Sequence, residues 1–221
     1  MKNVLFDLDG TLVNSQVGIT KGVQYALREY LGIDEPDLES LRCFIGPPLA
    51  LMFDQKYHVP VEKIEPAVVK YREYYDAVGV HECELYPGVR AVLQNLHKKG
   101  YTLGLASSKP ESSCVQILND LGVADCFDEI VGASLGPERR EKVLVLEEAF
   151  RRMGVTDRTQ TVLIGDTKYD ALGAVKAGIG CIGVTYGFGT RQELLAAGAA
   201  AVFDTLEEVE AYLDGTGTKA E

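Results

Sequence analysis

The sequence predicts an α/β protein, with a doubly wound, mainly parallel sheet and a small all-helical subdomain set into it. Three observations predict this class. Short runs rich in Val, Ile and Leu recur without strict alternation, as in strands covered on both faces. Segments of helical periodicity lie between them, and strand alternating with helix is the pattern of parallel α/β cores. One interval, 15–83, breaks the alternation with helical periodicity and no convincing strand.

Taken in order, the predicted strands are 3–6, 101–106, 129–132, 161–164, 181–184 and 201–203. Between them, Val89, Val92, Leu93 and Leu96 keep the spacing of one helical face, as do Val143, Leu146, Phe150 and Met153. Within the insert, Ile19, Val23, Leu27 and Tyr30 mark one helix. Val61, Ile64, Val68, Tyr71, Tyr75 and Val78 mark a longer one, and Gly46-Pro47-Pro48 breaks the pattern between them. So long a helical stretch between the first two core strands is too much for one crossover. The expected organisation is therefore a core of 1–14 plus 84–214, a helical cap over 15–83, and a disordered tail over 215–221, rich in Gly, Thr and charge.

Composition narrows the function. The 221 residues are 46% apolar and 25% charged, as in globular proteins generally. Lys plus Arg number 22 against 33 Asp plus Glu, a net charge of −11. A surface this acidic argues against nucleic acid or an anionic membrane as partner, because both are bound through basic patches. A small anionic substrate held at one site remains compatible. Cys43, Cys83, Cys114, Cys126 and Cys181 are scattered, with no Cys-x-x-Cys pair, so reduced thiols in a cytoplasmic protein are expected. The first residues reach Asp7 before a signal-peptide core forms, and no apolar run is long enough to span a bilayer.

Two motif matches fail on physical grounds. Gly132-Ala133-Ser134-Leu135-Gly136 fits a nucleophile elbow, but His58, His81 and His97 all precede Ser134, whereas the base should follow it. Gly178-Ile179-Gly180-Cys181-Ile182-Gly183 fits a dinucleotide fingerprint, but these glycines lead from a helix into a strand. A phosphate would then face a helix C-terminus and its negative potential.

What survives is acidic. Asp7 and Asp9 follow the first strand, and Asp166 and Asp170 follow the strand at 161–164. In open α/β sheets the strand C-termini form the ligand crevice. Capping of the next helix is a sufficient reading of the second pair alone. If the two strands are neighbours, however, four carboxylates converge, and each like-charge pair at about 4 Å costs roughly 4 kcal/mol at an effective dielectric near 20. A compensating cation is then required, and hard oxygen ligands with room for water and substrate phosphate suit Mg²⁺. Ser107-Ser108-Lys109 follows the second strand, offering a hydroxyl and amides. Lys142 stands at a helix start, where a cation is electrostatically disfavoured, which suggests a partner, although beside Glu138-Arg139-Arg140-Glu141 a solvated surface lysine is the simpler reading of this residue alone.

In this order (Asp7-x-Asp9-Gly10-Thr11, Ser107, Lys142, Gly165-Asp166-x-x-x-Asp170) the residues resemble the haloacid dehalogenase superfamily, in its phosphatase branch with a helical cap inserted after the first strand. The segments 11–15 and 44–49 look like phosphoglycolate phosphatase-like and 5′-nucleotidase-like members. The resemblance implies a Mg²⁺-dependent phosphatase of small phosphomonoesters, phosphoglycolate or a nucleoside 5′-monophosphate first among them. Asp7 would be the nucleophile and Asp9 the acid and base. Asp7, the Asp9 carbonyl and Asp166 would bind metal. Ser107, Ser108, Lys142 and Gly10 would hold phosphate, and Asp170 would orient Lys142 or a metal-bound water. Arg42, Gly46, Pro47 and Arg72 are the candidate substrate contacts in the cap. The expected protein is a monomer or homodimer without nucleic-acid or membrane partners. A sugar phosphomutase of the same superfamily, a phospho-accepting receiver-type domain and a non-catalytic interaction protein are the alternatives.

Overall fold

The computed structural model describes residues 1–215, so the tail expected over 215–221 lies outside the described residues from 216 on. In chain order the elements are β1 (Asn3–Phe6), β2 (Val13–Asn14), α1 (Gln16–Ala26), α2 (Leu49–Tyr57), α3 (Val61–Ala77) and β3 (Glu84–Leu85). There follow α4 (Val89–Lys98), β4 (Thr102–Pro110), α5 (Glu111–Asp120), β5 (Glu129–Ala133) and α6 (Lys142–Met153). The chain ends with β6 (Thr161–Gly165), α7 (Lys168–Lys176), β7 (Gly180–Val184), α8 (Arg191–Ala196), β8 (Ala201–Phe203) and α9 (Leu206–Leu213). Two compact units result: Ser15–Glu84, and Met1–Asn14 with the chain from Leu85 onward.

The larger unit is built on a parallel six-stranded sheet in the order β5-β4-β1-β6-β7-β8. β1 pairs with β4 on one side, Phe6 opposite Leu105, and with β6 on the other, Phe6 opposite Ile164. The chain builds outward from β1 to β4 and β5, then crosses back to continue through β6. The strand order therefore reverses between β1 and β6, which is where α/β sheets open a crevice at their C-terminal ends. On one face of the sheet, Leu5, Ala106, Val131 and Leu163 are buried with Val145, Leu146, Ala149 and Phe150 of α6 and Ala171 and Ala174 of α7. Each fully buried Leu or Phe there contributes about 1.5–3 kcal/mol. That packing makes β1 and β6 a rigid floor beneath the loops that follow them.

The predicted second strand ends at Ala106, whereas β4 continues to Pro110 with its register against β5 shifting between Ala106 and Pro110. Leaving regular register makes Ser107-Ser108-Lys109 read as a loop in sequence.

In the smaller unit α1 packs against α3, burying Val23 and Leu27 along with Val68, Tyr71 and Tyr75. The ends of the predicted long stripe do not belong to this core: Val61 is 82% and Val78 45% exposed. Tyr30 is also exposed, because α1 gives way to a wider turn over Leu27–Leu31. Among the described residues no helix is long and apolar enough to cross a membrane.

Candidate active site

The site is assembled at the C-terminal edge of the sheet, from the segments after β1, β6 and β7, the end of β4 and the start of α6. The first follows β1. Leu8 O accepts from Thr11 N (3.3 Å), Leu12 N (2.9 Å) and Val13 N (3.0 Å), and Gly10 adopts φ +84°. This tight reversal holds Asp7 at the strand end, its amide donating to Ile164 O of β6 at 2.9 Å. The i, i+2 spacing then sends the two acids to different partners.

Asp7 Oδ1 accepts from Lys142 Nζ at 2.7 Å, and the same ammonium lies 2.7 Å from Asp170 Oδ1 and 2.9 Å from Ala106 O. Lys142 is the first residue of α6, and three oxygens offset the unfavourable helix dipole at that place. Burial opposes the Lys142 charge, but Asp170 and Asp7 outweigh it and hold the ammonium above its ordinary range. Asp170 is fixed in turn by Thr167, whose N (3.0 Å) and Oγ1 (2.9 Å) both donate to Oδ2. It thus both caps α7 and orients Lys142.

Asp166 is fully buried after β6. Thr11 Oγ1 donates to its Oδ1 at 3.1 Å and Phe188 N to its Oδ2 at 2.8 Å. Carboxylate oxygens of Asp7, Asp166 and Asp170 all lie within 4.8 Å of one another. Burial pushes the Asp7 carboxyl up to about 6, Lys142 opposing and Asp170 and Asp9 adding to the rise. Burial, then Asp170 and Asp7, push Asp166 well above the usual carboxylate range. If all three acids ionise, the one ammonium leaves two negative charges uncompensated in a buried space. That deficit and an all-oxygen donor set fit a hard divalent cation. The Asp9 carboxylate stands outside this group, held by Lys109 Nζ at 2.9 Å (Oδ1) and 2.8 Å (Oδ2).

The other predicted residues are placed as follows. Ser107 is buried in β4 and accepts from Lys109 N at a long 3.4 Å, whereas Ser108 is exposed. Gly10 lies directly against Asp166. Arg42 pairs with Glu39 at 2.7 Å, Gly46 adopts φ +98° beside Pro47, and Arg72 is half-buried on α3; all four belong to the helical unit. Ser134 Oγ bonds Gly136 O (3.0 Å) and Glu138 (3.3 Å), and the three histidines are exposed.

Sequence reasoning assigned no role to Lys109, Thr11 or the loop after β7. In that loop Tyr186 Oη donates to Thr11 O at 2.8 Å, and Gly187 passes so close that a Cβ would overlap both Asp166 Oδ2 and Gly10 O. The signal available was its position, an aromatic–glycine alternation at the end of a core strand. Gly187→Ala is expected to displace Asp166 and weaken the hold of the three carboxylates on a divalent cation about 10–100-fold. Calorimetric titration with Mg²⁺ checks this, and an unchanged Kd would show that the loop does not shape the metal site.

A family model described as haloacid dehalogenase-like hydrolase matches residues 4–184. A 5′-nucleotidase of Pseudomonas aeruginosa is 40% identical over 194 residues, 88% of this chain and 87% of that protein. A phosphoglycolate phosphatase of Vibrio parahaemolyticus is 29% identical over 95% of this chain and 94% of its own. The crystal structure of a predicted phosphatase from Clostridium acetobutylicum superposes with a TM-score of 0.92 at 40% identity, covering 97% of this chain and 98% of that one. The chain belongs to the haloacid dehalogenase-like hydrolase family. Within it, this is a phosphatase, a phosphoric monoester hydrolase.

Proposed function

We propose that the enzyme hydrolyses small phosphomonoesters with Mg²⁺ through an aspartyl-phosphate on Asp7, phosphoglycolate and nucleoside 5′-monophosphates being the substrates that fit best. The observation that carries this reading is the placement of Asp7 at the end of β1, with Lys142 on Oδ1 at 2.7 Å and two further carboxylates beside it. The relatives named phosphoglycolate phosphatase and 5′-nucleotidase support the choice of substrates.

Asp7 and Asp166 would hold the metal, with the Asp9 carbonyl as a further ligand. When bound, Mg²⁺ supplies positive charge that lets a phosphate dianion approach an anionic nucleophile. The chain's own residues then carry the reaction. A carboxylate oxygen of Asp7 attacks phosphorus, the ester P–O bond breaks, and Asp9 gives a proton to the departing alkoxide. Water next attacks phosphorus and passes a proton to Asp9, while the P–O bond to Asp7 breaks and regenerates its carboxylate. Ser107, the Ser108 amide and Lys142 hold the phosphoryl oxygens as charge shifts across them.

A panel of phosphomonoesters assayed with Mg²⁺ and with EDTA tests the reading. Phosphate release that needs the metal is expected, fastest with phosphoglycolate or a nucleoside 5′-monophosphate. Release untouched by EDTA would remove the metal from the proposal. Interconversion of sugar-phosphate isomers without net phosphate release would replace the phosphatase by a mutase. The receiver-type alternative has no support in the family match or in the helical unit Ser15–Glu84.

A further inference from the structure

Lys109 and Asp9 form a second ion pair at the site, besides the one that Lys142 makes with Asp7 and Asp170. Lys109 projects from the irregular end of β4 and Asp9 from the turn after β1, and their side chains are only 6% and 14% exposed. The ammonium touches both carboxylate oxygens, at 2.9 and 2.8 Å. A lysine at this edge of a phosphate site would ordinarily be read as a phosphate ligand, yet its charge is directed at Asp9. Formally the pair is neutral, so it does not relieve the two negative charges around Asp7, Asp166 and Asp170.

We infer that Lys109 is the positioning residue for Asp9, and that its effect falls on hydrolysis of the phosphoenzyme more than on its formation. The inference rests on the proposed roles of Asp7 and Asp9. An ionised carboxylate is acceptor-only, with about four lone-pair sites. An ammonium on both oxygens occupies about two of them, fixes the plane of the group, and leaves the outward pair to receive a proton. That is the arrangement the second half-reaction needs. Water attacks phosphorus, its proton goes to Asp9, and the electron pair of the breaking P–O bond returns to Asp7. The first half-reaction makes a weaker demand when the leaving group is a stable phenolate, which departs without a proton.

The test uses p-nitrophenyl phosphate with Mg²⁺ and compares wild type, Lys109→Met and Lys109→Arg, with the folded fraction fixed by circular dichroism. For Lys109→Met, kcat is expected to fall about 10²-fold while kcat/KM stays within about 3-fold, because kcat/KM does not contain the hydrolysis step. KM then falls together with kcat. A burst of about one p-nitrophenolate per folded site should precede the slow steady state, with phosphoenzyme recovered on acid quench. Lys109→Arg should restore most of kcat.

An equal fall in kcat and kcat/KM without a burst would make Lys109 a phosphate-binding or structural residue and overturn the inference. So would an unchanged kcat. Wild type without turnover, or full turnover in Asp7→Asn, strikes instead at the phosphatase reading and takes the role of Lys109 with it.

Discussion

Asp7→Asn is expected to lose turnover by roughly four orders of magnitude or more, the scale on which removal of a nucleophile acts. The amide keeps the shape of the side chain but neither attacks phosphorus nor carries the charge that pairs with Lys142 Nζ at 2.7 Å. The same change removes one of three crowded carboxylates, and burial already pushes the Asp7 carboxyl up to about 6. The variant should therefore melt no lower than wild type in the absence of metal, Lys142 keeping Asp170 as its partner at 2.7 Å. Steady-state release of phosphate and a thermal melt check the two halves together. Retained turnover would exclude Asp7 as nucleophile, and a collapsed melt would make any loss of activity a loss of fold.

Lys142→Met is expected to have the largest effect on stability. It leaves Asp7 and Asp170 facing each other and Asp166 with no cation among them, and stripping one partner from a buried pair costs about 3–5 kcal/mol. The cost should depend on pH in a definite direction. The Asp7 carboxyl titrates near 6 in the folded protein, above its ordinary 3.8, so the folded state binds more protons than the unfolded state between those values. Stability from this group is therefore present at low pH and declines as pH rises through 6. Without Lys142 the carboxyls rise further and the decline extends upward. The difference between variant and wild type should consequently be larger at pH 8 than at pH 5. Urea unfolding at the two pH values, with EDTA present, measures it. A difference independent of pH would mean that lost packing of the lysine stem, rather than lost charge, sets the cost. Activity should fall as well, since Lys142 contacts Asp7, the proposed nucleophile.

The acids of the site were legible because each follows a strand directly, and a strand end is a local property of sequence. Asp7 and Asp9 behind residues 3–6, and Asp166 and Asp170 behind 161–164, needed only an apolar run followed by a carboxylate. Ser107 was harder to place because β4 leaves regular register at that point, and its strand reads as ending early. Lys142 taken alone read equally as a surface lysine, and only its place in the order of motifs singled it out, because its two acid partners lie after β1 and in the first turn of α7. Thr11 stood in the first motif without a role, and Lys109 and the loop carrying Gly187 and Phe188 gave no comparable signal. Their roles are contacts across the sheet, and a hydroxyl, an ammonium or a backbone N–H is unremarkable until its partner is known. In the helical unit, periodicity found the face of α3 but overran it at both ends, because a pattern of apolar residues does not say where the neighbouring helix stops.

The sequence by itself determined the α/β alternation, the helical interruption after the first strand and the four acids at strand ends, all of them short-range properties of the chain. Tertiary structure decided that β1 lies between β4 and β6, which brings Asp7 to Asp166 and leaves a charge deficit suited to a divalent cation. It also decided how the two lysines are shared, Lys142 to Asp7 and Asp170, Lys109 to Asp9. Such choices turn on distances of a few ångströms between residues as far apart as the 135 positions from Asp7 to Lys142, and they follow from strand order and register, not from local pattern.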